Sequence, residues 1–569
     1  MRVCHGVTAT FDDPNLVSCA GLAPVLELAE RAGLQRLVAE HVRLNKPGGV
    51  NAHLKVPGLV AGMIAGADSI DDMALLRHGA MGRLTSGVRA PSTLGTFLRT
   101  FTFGHVRQLD AVNARLLIGL AARAPLLPGA DQLAYVDVDD TIRQTYGNAK
   151  QGAGRGYTGV KGLNALIAVV STPSGRPVIA AARLRKGSTN SVKGAHRLIA
   201  DALVTATAAG ATGIRVLRAD SAFYGHDIIA ACHRHHSRFS ITARQDPAVR
   251  TAIAGIDPDS WTAIKYTGAI YDETAQQWIS DAEVAEIDYT AFTSRAKAKH
   301  VTARLIVRRV PDRNPAQQSE LFTASRYHAV FTDTPLPMLE AEKAHRAHAI
   351  IEQVIAELKT GPLAHLPSGK FWANSAWLVC AAMAFNLTRA AMAFNLTRAA
   401  GTLASAFHAK ATTATLRTHL ICVPGRLARS ARRLTLHQPQ RWPDRRVQPT
   451  AAPQPTRTTN ADLTLTTRRQ AQPGDPKWTN RPDRLPNHAL TTRPRARYRQ
   501  ARRQRLDGGS RLRRSNWTRM KGTTMHSEAA TCTASSSGVS LSPYAHCREP
   551  NVAARLFSLG PLRPVSFVP

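Results

Sequence analysis

The chain has 569 residues, enough for several domains, and its 44% hydrophobic content permits a packed core. Its formal net charge of +35 points to a polyanionic partner, with 29 Lys/Arg against 7 Asp/Glu in 411–569 alone. The seven cysteines are dispersed without CxxC pairs, which argues against a disulfide framework and for free thiols in a reducing compartment. The chain opens without a secretory pattern, and no apolar run reads as long enough to span a bilayer.

Residues 1–130 read as mostly helical. Leu22–His41 and Val56–Met73 carry apolar residues at helical spacing, and Val106–Ala122 does the same. Between them, Ser92 or Thr93 is placed to cap a short helix that presents Arg99. The plainer reading of this region is a helical bundle packed on the rest of the chain.

Leu133–Thr141, LAYVDVDDT, reads as a strand because Tyr135, Val136 and Val138 favour one and the run is short. Alternation puts Asp137 and Asp139 on one face and turns Asp140 away. Gly152–Gly156 lacks the lysine of a phosphate loop and reads as a hairpin turn, although the nearby Lys161 is in range of a phosphate. Strands at 163–170 and 176–184 follow, then a helix over Val192–Ala209. Ile214–Asp220, IRVLRAD, is a second apolar strand ending in an aspartate. A helix over His226–His235 and a strand at Phe239–Thr242 complete the unit. Cys232-His233-Arg234-His235-His236 has no partner set at zinc-site spacing and reads as a cationic helix terminus. From 245 to 335 the pieces are β-like: 266–272, 282–292, 302–310 and 327–333.

Met338–Thr360 reads as one amphipathic helix with Ala347, Ile351, Val354, Ile355 and Leu358 on its apolar face. His345, His348, Glu352 and Lys359 form a neighbouring stripe. Glu352 borders the buried face, whereas Glu342 and Glu357 point elsewhere, Glu357 to a solvated face. Phe371–Ala399 is an apolar helix in which the nonapeptide 382–390 repeats at once as 391–399. Nine residues are 2.5 helical turns, so the second copy presents its apolar face about 180° from the first; a short coding duplication explains this better than a structural repeat. A basic helix is expected within 412–442. Beyond about 445 the chain is rich in Arg, Pro, Thr and Gln, and reads as a disordered basic arm or as read-through or shifted-frame translation.

Two strand-end aspartates and a helix-borne glutamate make a donor set for hard divalent cations, which prefer carboxylate oxygen. Two such ions can clamp the attacking and leaving oxygens of an in-line phosphoryl displacement. Around these residues the chain resembles a bacterial insertion-sequence DDE transposase, most closely the group named thirteen-eighty, a relative of group four. The matching runs are Asp137-Val138-Asp139-Asp140-Thr141, Gly159-Val160-Lys161-Gly162-Leu163-Asn164-Ala165-Leu166, Leu217-Arg218-Ala219-Asp220-Ser221-Ala222-Phe223 and Ile351-Glu352-Gln353-Val354-Ile355-Ala356-Glu357-Leu358-Lys359. Of the related Tyr-x2-Arg-x3-Glu-x6-Lys signature, Glu352 and Lys359 match, while His345 and His348 stand at the Tyr and Arg positions.

The resemblance implies an α/β RNase H-like catalytic core with a mainly β insertion, a helical N-terminal domain and a disordered basic C-terminal tail. The boundaries are 1–130 for the helical DNA-binding domain, 131–245 and 336–445 for the two parts of the core, 246–335 for the insertion and 446–569 for the tail. Asp139, Asp220 and Glu352 are then the catalytic metal ligands, with Asp137 the alternative first carboxylate, for two Mg²⁺ (or Mn²⁺). Lys359, Arg346, His348, His345, Lys161 and Arg99 are the DNA-binding candidates. The implied partners are double-stranded DNA, at the element's terminal inverted repeats and at a target, and a second copy of the chain in a synaptic complex; a membrane is not implied. The implied location is the bacterial cytoplasm, at the nucleoid. The insertion holds Trp261 and Trp278, whose plainer role is packing and whose role by analogy is stacking on a flipped base. Two other readings stay open: an RNase H-like nuclease that cuts without joining, and an inactive relic that only binds DNA.

Overall fold

A computed structural model describes residues 10–85, 87–147, 149–265, 270–272, 277–279, 282–311, 325–398, 411–430 and 433–439. All of these fall within one compact unit, Met1–Thr459. The expected tail, 446–569, lies outside the described residues.

Helices dominate the first part: α1 (Leu22–Arg31), α2 (Leu34–His41), α3 (Ala52–Ala65), α4 (Met81–Leu84), α5 (Pro91–Arg99) and α6 (Phe103–Ala121). Three expectations need correction here. The helix expected over Leu22–His41 is two, broken where Gly33 takes φ 85°, a left-handed conformation glycine adopts without penalty. The helix expected to reach Met73 ends at Ala65 with Gly66 at φ 117°, and Asp71–Arg77 forms 3-10 turns. No Ser or Thr side chain caps α5; Pro91 starts it, its fixed φ suiting the first helical position.

Ten strands form one mixed sheet in the order β3-β4-β2-β6-β7-β13-β12-β11-β8, with β5 also paired to β4. They are β2 (Leu133–Gln144), β3 (Gly154–Arg155), β4 (Lys161–Ser171), β5 (Val178–Lys186), β6 (Ile214–Ala219), β7 (Arg238–Thr242), β8 (Thr262–Ala263), β11 (Glu283–Ala291), β12 (Val301–Pro311) and β13 (Ser325–Thr332). A separate hairpin joins β9 (Ile270–Asp272) to β10 (Gln277–Ile279). The sheet is parallel at β2/β6 and β6/β7 and antiparallel at β2/β4 and β7/β13. The expected pieces at 282–292, 302–310 and 327–333 form β11, β12 and β13, and β13 pairs with β7, so these three continue the core sheet, whereas 270–272 lies in the separate hairpin.

β2 is buried on both faces because α7 (Ala195–Ala208) and α11 (Ile350–Lys359) both contact it. That explains its near-continuous apolar run. The single helix expected over Met338–Thr360 is interrupted: α10 (Met338–Arg346) and α11 flank a 3-10 turn at Ala347–Ala349. A wheel drawn on one axis therefore misplaced Glu352, expected to border the buried face and here exposed, and Glu357. Glu342 is 3% exposed and paired with Arg308 and Arg346. Glu357 is not on a solvated face: it is half-buried, with Arg389 Nη2 at 2.7 Å and the Thr413 amide at 2.8 Å.

α12 (Phe371–Arg398) runs through the first nonapeptide and into the second without interruption. Its segment Phe371–Ala393 is long and apolar enough to cross a membrane, against the expectation that no run is, but 94% of that stretch is buried inside the fold. Asn386 locks the helix to β5, its amide accepting from Ile179 N (2.7 Å) and donating to Ile179 O (2.8 Å). After it, helical turns at Thr413–Leu416 and Arg417–Ile421 fall within the stretch where a basic helix was expected, and strands follow: β14 (Gly425–Ser430) pairs with β15 (Arg433–His437) and with β1 (Leu16–Val17), joining the two ends of the unit. Trp261 is half-buried under the Arg309 guanidinium, 4.2 Å from its ring centroid. The side chain of Trp278 lies outside the described residues.

Candidate active site

The parallel register pairs Val136 with Leu217 and Val138 with Ala219. One step further along each strand stand Asp139 and Asp220, so residues 81 apart in sequence come to the same edge of neighbouring strands. Asp220 accepts from the Ala222 amide at 3.0 Å and caps the turn Ser221–Phe223. Asp139 accepts from the Asp140 amide at 2.7 Å. Among the described residues neither carboxylate has an ion-pair partner within 4 Å. Burial pushes Asp139 up to about 7, and the nearby Asp220 charge adds to it. Burial likewise raises Asp220, with a smaller contribution from Asp140.

The other two aspartates of β2 are satisfied. Asp137, the alternative first carboxylate, is fully buried, with Arg218 Nε and Nη2 each at 2.7 Å and His348 Nδ1 at 2.9 Å. Burial alone raises its carboxyl; the Arg218 and His348 contacts outweigh that and hold it below the usual carboxylate range. Asp140 faces the opposite side, against Arg185 and the Asn164 amide (2.9 Å). Strand alternation, read from the sequence, sorts these side chains as the structure does. Arg218 was the partner that reasoning missed. Its signal was the second arginine of the apolar strand IRVLRA, two positions before Asp220, where burial of a charge calls for an acid partner.

The helical candidates are distributed differently from expectation. His348 bridges inward to Asp137 and lies within electrostatic reach of Asp139 and Asp220. Lys359, half-buried on α11, has its ionisation lowered by burial and by Arg143, with the Asp139 charge acting against them. Glu352 is exposed on the first turn of α11. Among the described residues no three His, Cys, Asp or Glu side chains converge closely enough to hold a metal ion. The structure thus brings Asp139 and Asp220 together and leaves Glu352 outside that cluster. His345 needs correction as a DNA contact: it is 9% exposed, its ring nitrogens bonded to Ser240 Oγ and Thr242 Oγ1, both at 2.9 Å. Burial and the neighbouring His348 and Arg218 charges push it down to about 3, so it is a neutral ring between two hydroxyls. Arg346 binds Glu342 at 2.9 Å. Lys161 Nζ donates to Gly147 O at 3.1 Å, and Arg99, exposed, donates to Thr96 Oγ1 at 3.0 Å. The Cys232–His236 run ends helix α8 (His226–Arg234), as expected, with Cys232 buried.

Two neighbouring carboxylates raised by desolvation, Asp139 further by the Asp220 charge, fit a hard divalent cation. Such an ion prefers carboxylate oxygen and offsets the repulsion that burial makes costly. No curated protein matches the chain. Residues 4–454 match the family model described as transposase DDE domain group 1, and the chain belongs to that family.

Proposed function

We propose that this protein is a metal-dependent DNA strand transferase acting on the terminal inverted repeats of its own element. The family implies nuclease or transposase activity on DNA and generally uses divalent metal ions. The observation that carries the reading is the juxtaposition of Asp139, half-buried on β2, and Asp220, exposed just past the end of the parallel neighbour β6, neither with a cationic side-chain partner among the described residues. The strand order β5-β4-β2-β6-β7, antiparallel then parallel, supports an RNase H-like core. Asp139 and Asp220 would hold Mg²⁺ or Mn²⁺, with Glu352, which stands outside the pair in this structure, as the third ligand the family resemblance implies; the ions would supply Lewis acidity to the scissile phosphodiester and activate water.

In this reading the chain's own groups position the DNA. Lys359, beside Asp139, and His348, oriented by Asp137, lie where a backbone phosphate must approach the acid pair. Lys161, Arg346 and Arg99 extend the basic surface to flanking phosphates, whose contacts fix register without reading sequence. Cleavage frees a 3′-OH at the element end, which then attacks a target phosphodiester. Bringing two ends together requires a dimer at synapsis. The test is Mg²⁺-dependent cleavage of a fragment carrying the flanking inverted repeat, by wild type and Asp220→Ala. Joined products made only by wild type support a transposase; cuts without joining support a nuclease; DNA binding with no cleavage by either supports an inactive relic.

A further inference from the structure

Dispersal along the chain did not keep the cysteines apart in space. Cys19, at the entry to α1, and Cys422, just before β14, are separated by 403 positions, yet their Sγ atoms lie 3.8 Å apart. The backbone brings them together. Residues 16–21 and 421–426 run antiparallel. β1 pairs Leu16 with Arg426 and Val17 with Gly425, and then the Ala20 amide donates to Val423 O at 2.8 Å and the Gly21 amide to Ile421 O at 3.2 Å. Gly21 makes so close an approach possible, since a Cβ there would lie 1.6 Å from Leu420 O. An Asp13–Arg426 ion pair at 3.0 Å closes the outer end of the joint.

The pair is placed for chemistry on sulfur. Cys19 is buried and Cys422 half-buried, so Cys422 is the more accessible to a small solute. The Cys19 thiol donates to Cys422 Sγ, and the Cys422 thiol donates to Ala65 O at 3.4 Å, on the last residue of α3. Arg417, whose Nε holds Ile64 O at 3.2 Å, is within electrostatic reach of Cys422 and favours its thiolate. Either sulfur, once deprotonated, takes a hydrogen bond from the other. The pair therefore gives up its first proton more readily than an isolated thiol and its second less readily. Cys232 and Cys380 contrast with it: both are fully buried, and burial pushes both thiols up, which keeps them inert.

We propose that Cys19 and Cys422 form an oxidation site, a dithiol that a peroxide converts to an intramolecular disulfide, latching the entry of the first helix to the segment that leads into β14. This stands independently of the DNA-cleavage reading. The Cys422 thiolate attacks one peroxide oxygen; the O–O bond breaks, hydroxide leaves and a sulfenic acid forms. Cys19 Sγ then attacks that sulfur. The S–S bond forms, the S–O bond breaks, and the departing hydroxide takes the Cys19 proton as water. Two thiols are oxidised and one hydrogen peroxide is reduced to two waters. A bridge across 403 positions takes much freedom from the unfolded chain and little from a fold that already holds the two segments side by side.

The test uses the full chain, reduced, freed of reductant and treated with hydrogen peroxide, with free cysteine in a parallel tube to fix the dose. Remaining thiols are blocked with N-ethylmaleimide in denaturant. The protein is then cut with trypsin and with a protease that cleaves before aspartate, which puts Cys19 in residues 13–31 and Cys422 in 418–426, apart from Cys4. The expected product is 13–31 joined to 418–426 and released by dithiothreitol, with Cys232 and Cys380 recovered in the blocked form. Oxidation should raise the melting temperature of wild type by about 2–5 °C and leave Cys19→Ser and Cys422→Ser unchanged. Absence of the joined peptide at a dose that consumes the free cysteine overturns the proposal, as does Cys19 or Cys422 joined mainly to another cysteine. So does a rise in melting temperature that persists in either variant, or a bridge that lowers it. The peptide map is read on wild type, so a variant that fails to fold leaves the test intact.

Discussion

Two kinds of acid lie within one turn of strand. Asp137 and Asp140 are buried against guanidinium groups: Arg218 makes two hydrogen bonds to Asp137, and Arg185 makes one to Asp140 beside that of the Asn164 amide. Asp139, half-buried on β2, and Asp220, exposed just past the end of β6, have only backbone donors among the described residues, and the Asp220 charge raises Asp139. Glu342 with Arg308 and Glu357 with Arg389 belong to the first kind. The fold thus has the means to neutralise a buried carboxylate and does not use it at one edge. That separates acids that hold the sheet together from acids left for something that binds.

The most forceful way to break this comparison is to exchange the outcomes. Asp139→Ala and Asp220→Ala are expected to abolish DNA cleavage while unfolding at the same denaturant concentration as wild type or higher, because each removes a strained charge. A cleavage-competent Asp220→Ala, or one that unfolds readily, would place Asp220 with the structural acids. Arg218→Ala carries the next largest effect. It strands Asp137 fully buried and frees the Ala344 carbonyl that Arg218 also holds (2.6 Å). The expected loss is about 3–5 kcal/mol of unfolding free energy, read from chemical denaturation. Asp137→Asn/Arg218→Gln, a neutral pair able to hydrogen-bond, should regain much of it.

The third effect is in the pH dependence of the metal-free protein. A carboxyl raised to about 7 in the folded chain is neutral there when its unfolded counterpart is already ionised. The stability it contributes is full below about pH 4 and is lost as pH rises toward 7. In EDTA, wild type should therefore lose about 2–4 kcal/mol more than Asp139→Asn between pH 4 and pH 8. Saturating Mg²⁺ should remove most of the difference, as ligand binding to the folded state does. Parallel curves for the two proteins would mean that the Asp139 carboxyl is well solvated and that its contrast with Asp137 is only apparent.

How far these contrasts were legible follows from their range along the chain. The acid-ending strands 133–141 and 214–220 announce themselves through local apolar runs, and alternation separates Asp137 and Asp139 from Asp140 with no knowledge of the partner. What decides each acid's fate is distant: Arg218 is 81 positions from Asp137, Arg389 is 32 from Glu357 and Arg308 is 34 from Glu342. Periodicity carries no such pairing. The Ala347–Ala349 turn was also invisible, because alanine and histidine suit a helix as well as a 3-10 turn. A wheel drawn through it put Glu357 in solvent and His345 on one stripe with Glu352 and Lys359.

The smallest expected effect tests whether the duplicated nonapeptide belongs to either kind of structure. Removing 382–390 or 391–399 yields the same sequence, so a single deletion variant asks the question. In the intact chain the first copy makes the fixed contacts: Asn386 to Ile179, and Arg389 to Glu357 and to Ala411 O at 2.7 Å. In the deletion variant the remaining copy supplies the same Asn and Arg at those positions, and only the return from Arg389 to Ala411 shortens. Loop-closure entropy changes slowly with length, so stability should shift by less than about 1 kcal/mol, measured by denaturation. Burial persists to Ala391 and Met392 at 9% and 8% exposure, which shows the helix extended into the second copy and packed there. A loss well above 1 kcal/mol would mean that those later contacts, on a face turned half a revolution from the first, have become part of the core. An unchanged protein would mean that α12 simply grew past its last required residue, leaving the acid-bearing edge of the sheet as it was before the repeat arose.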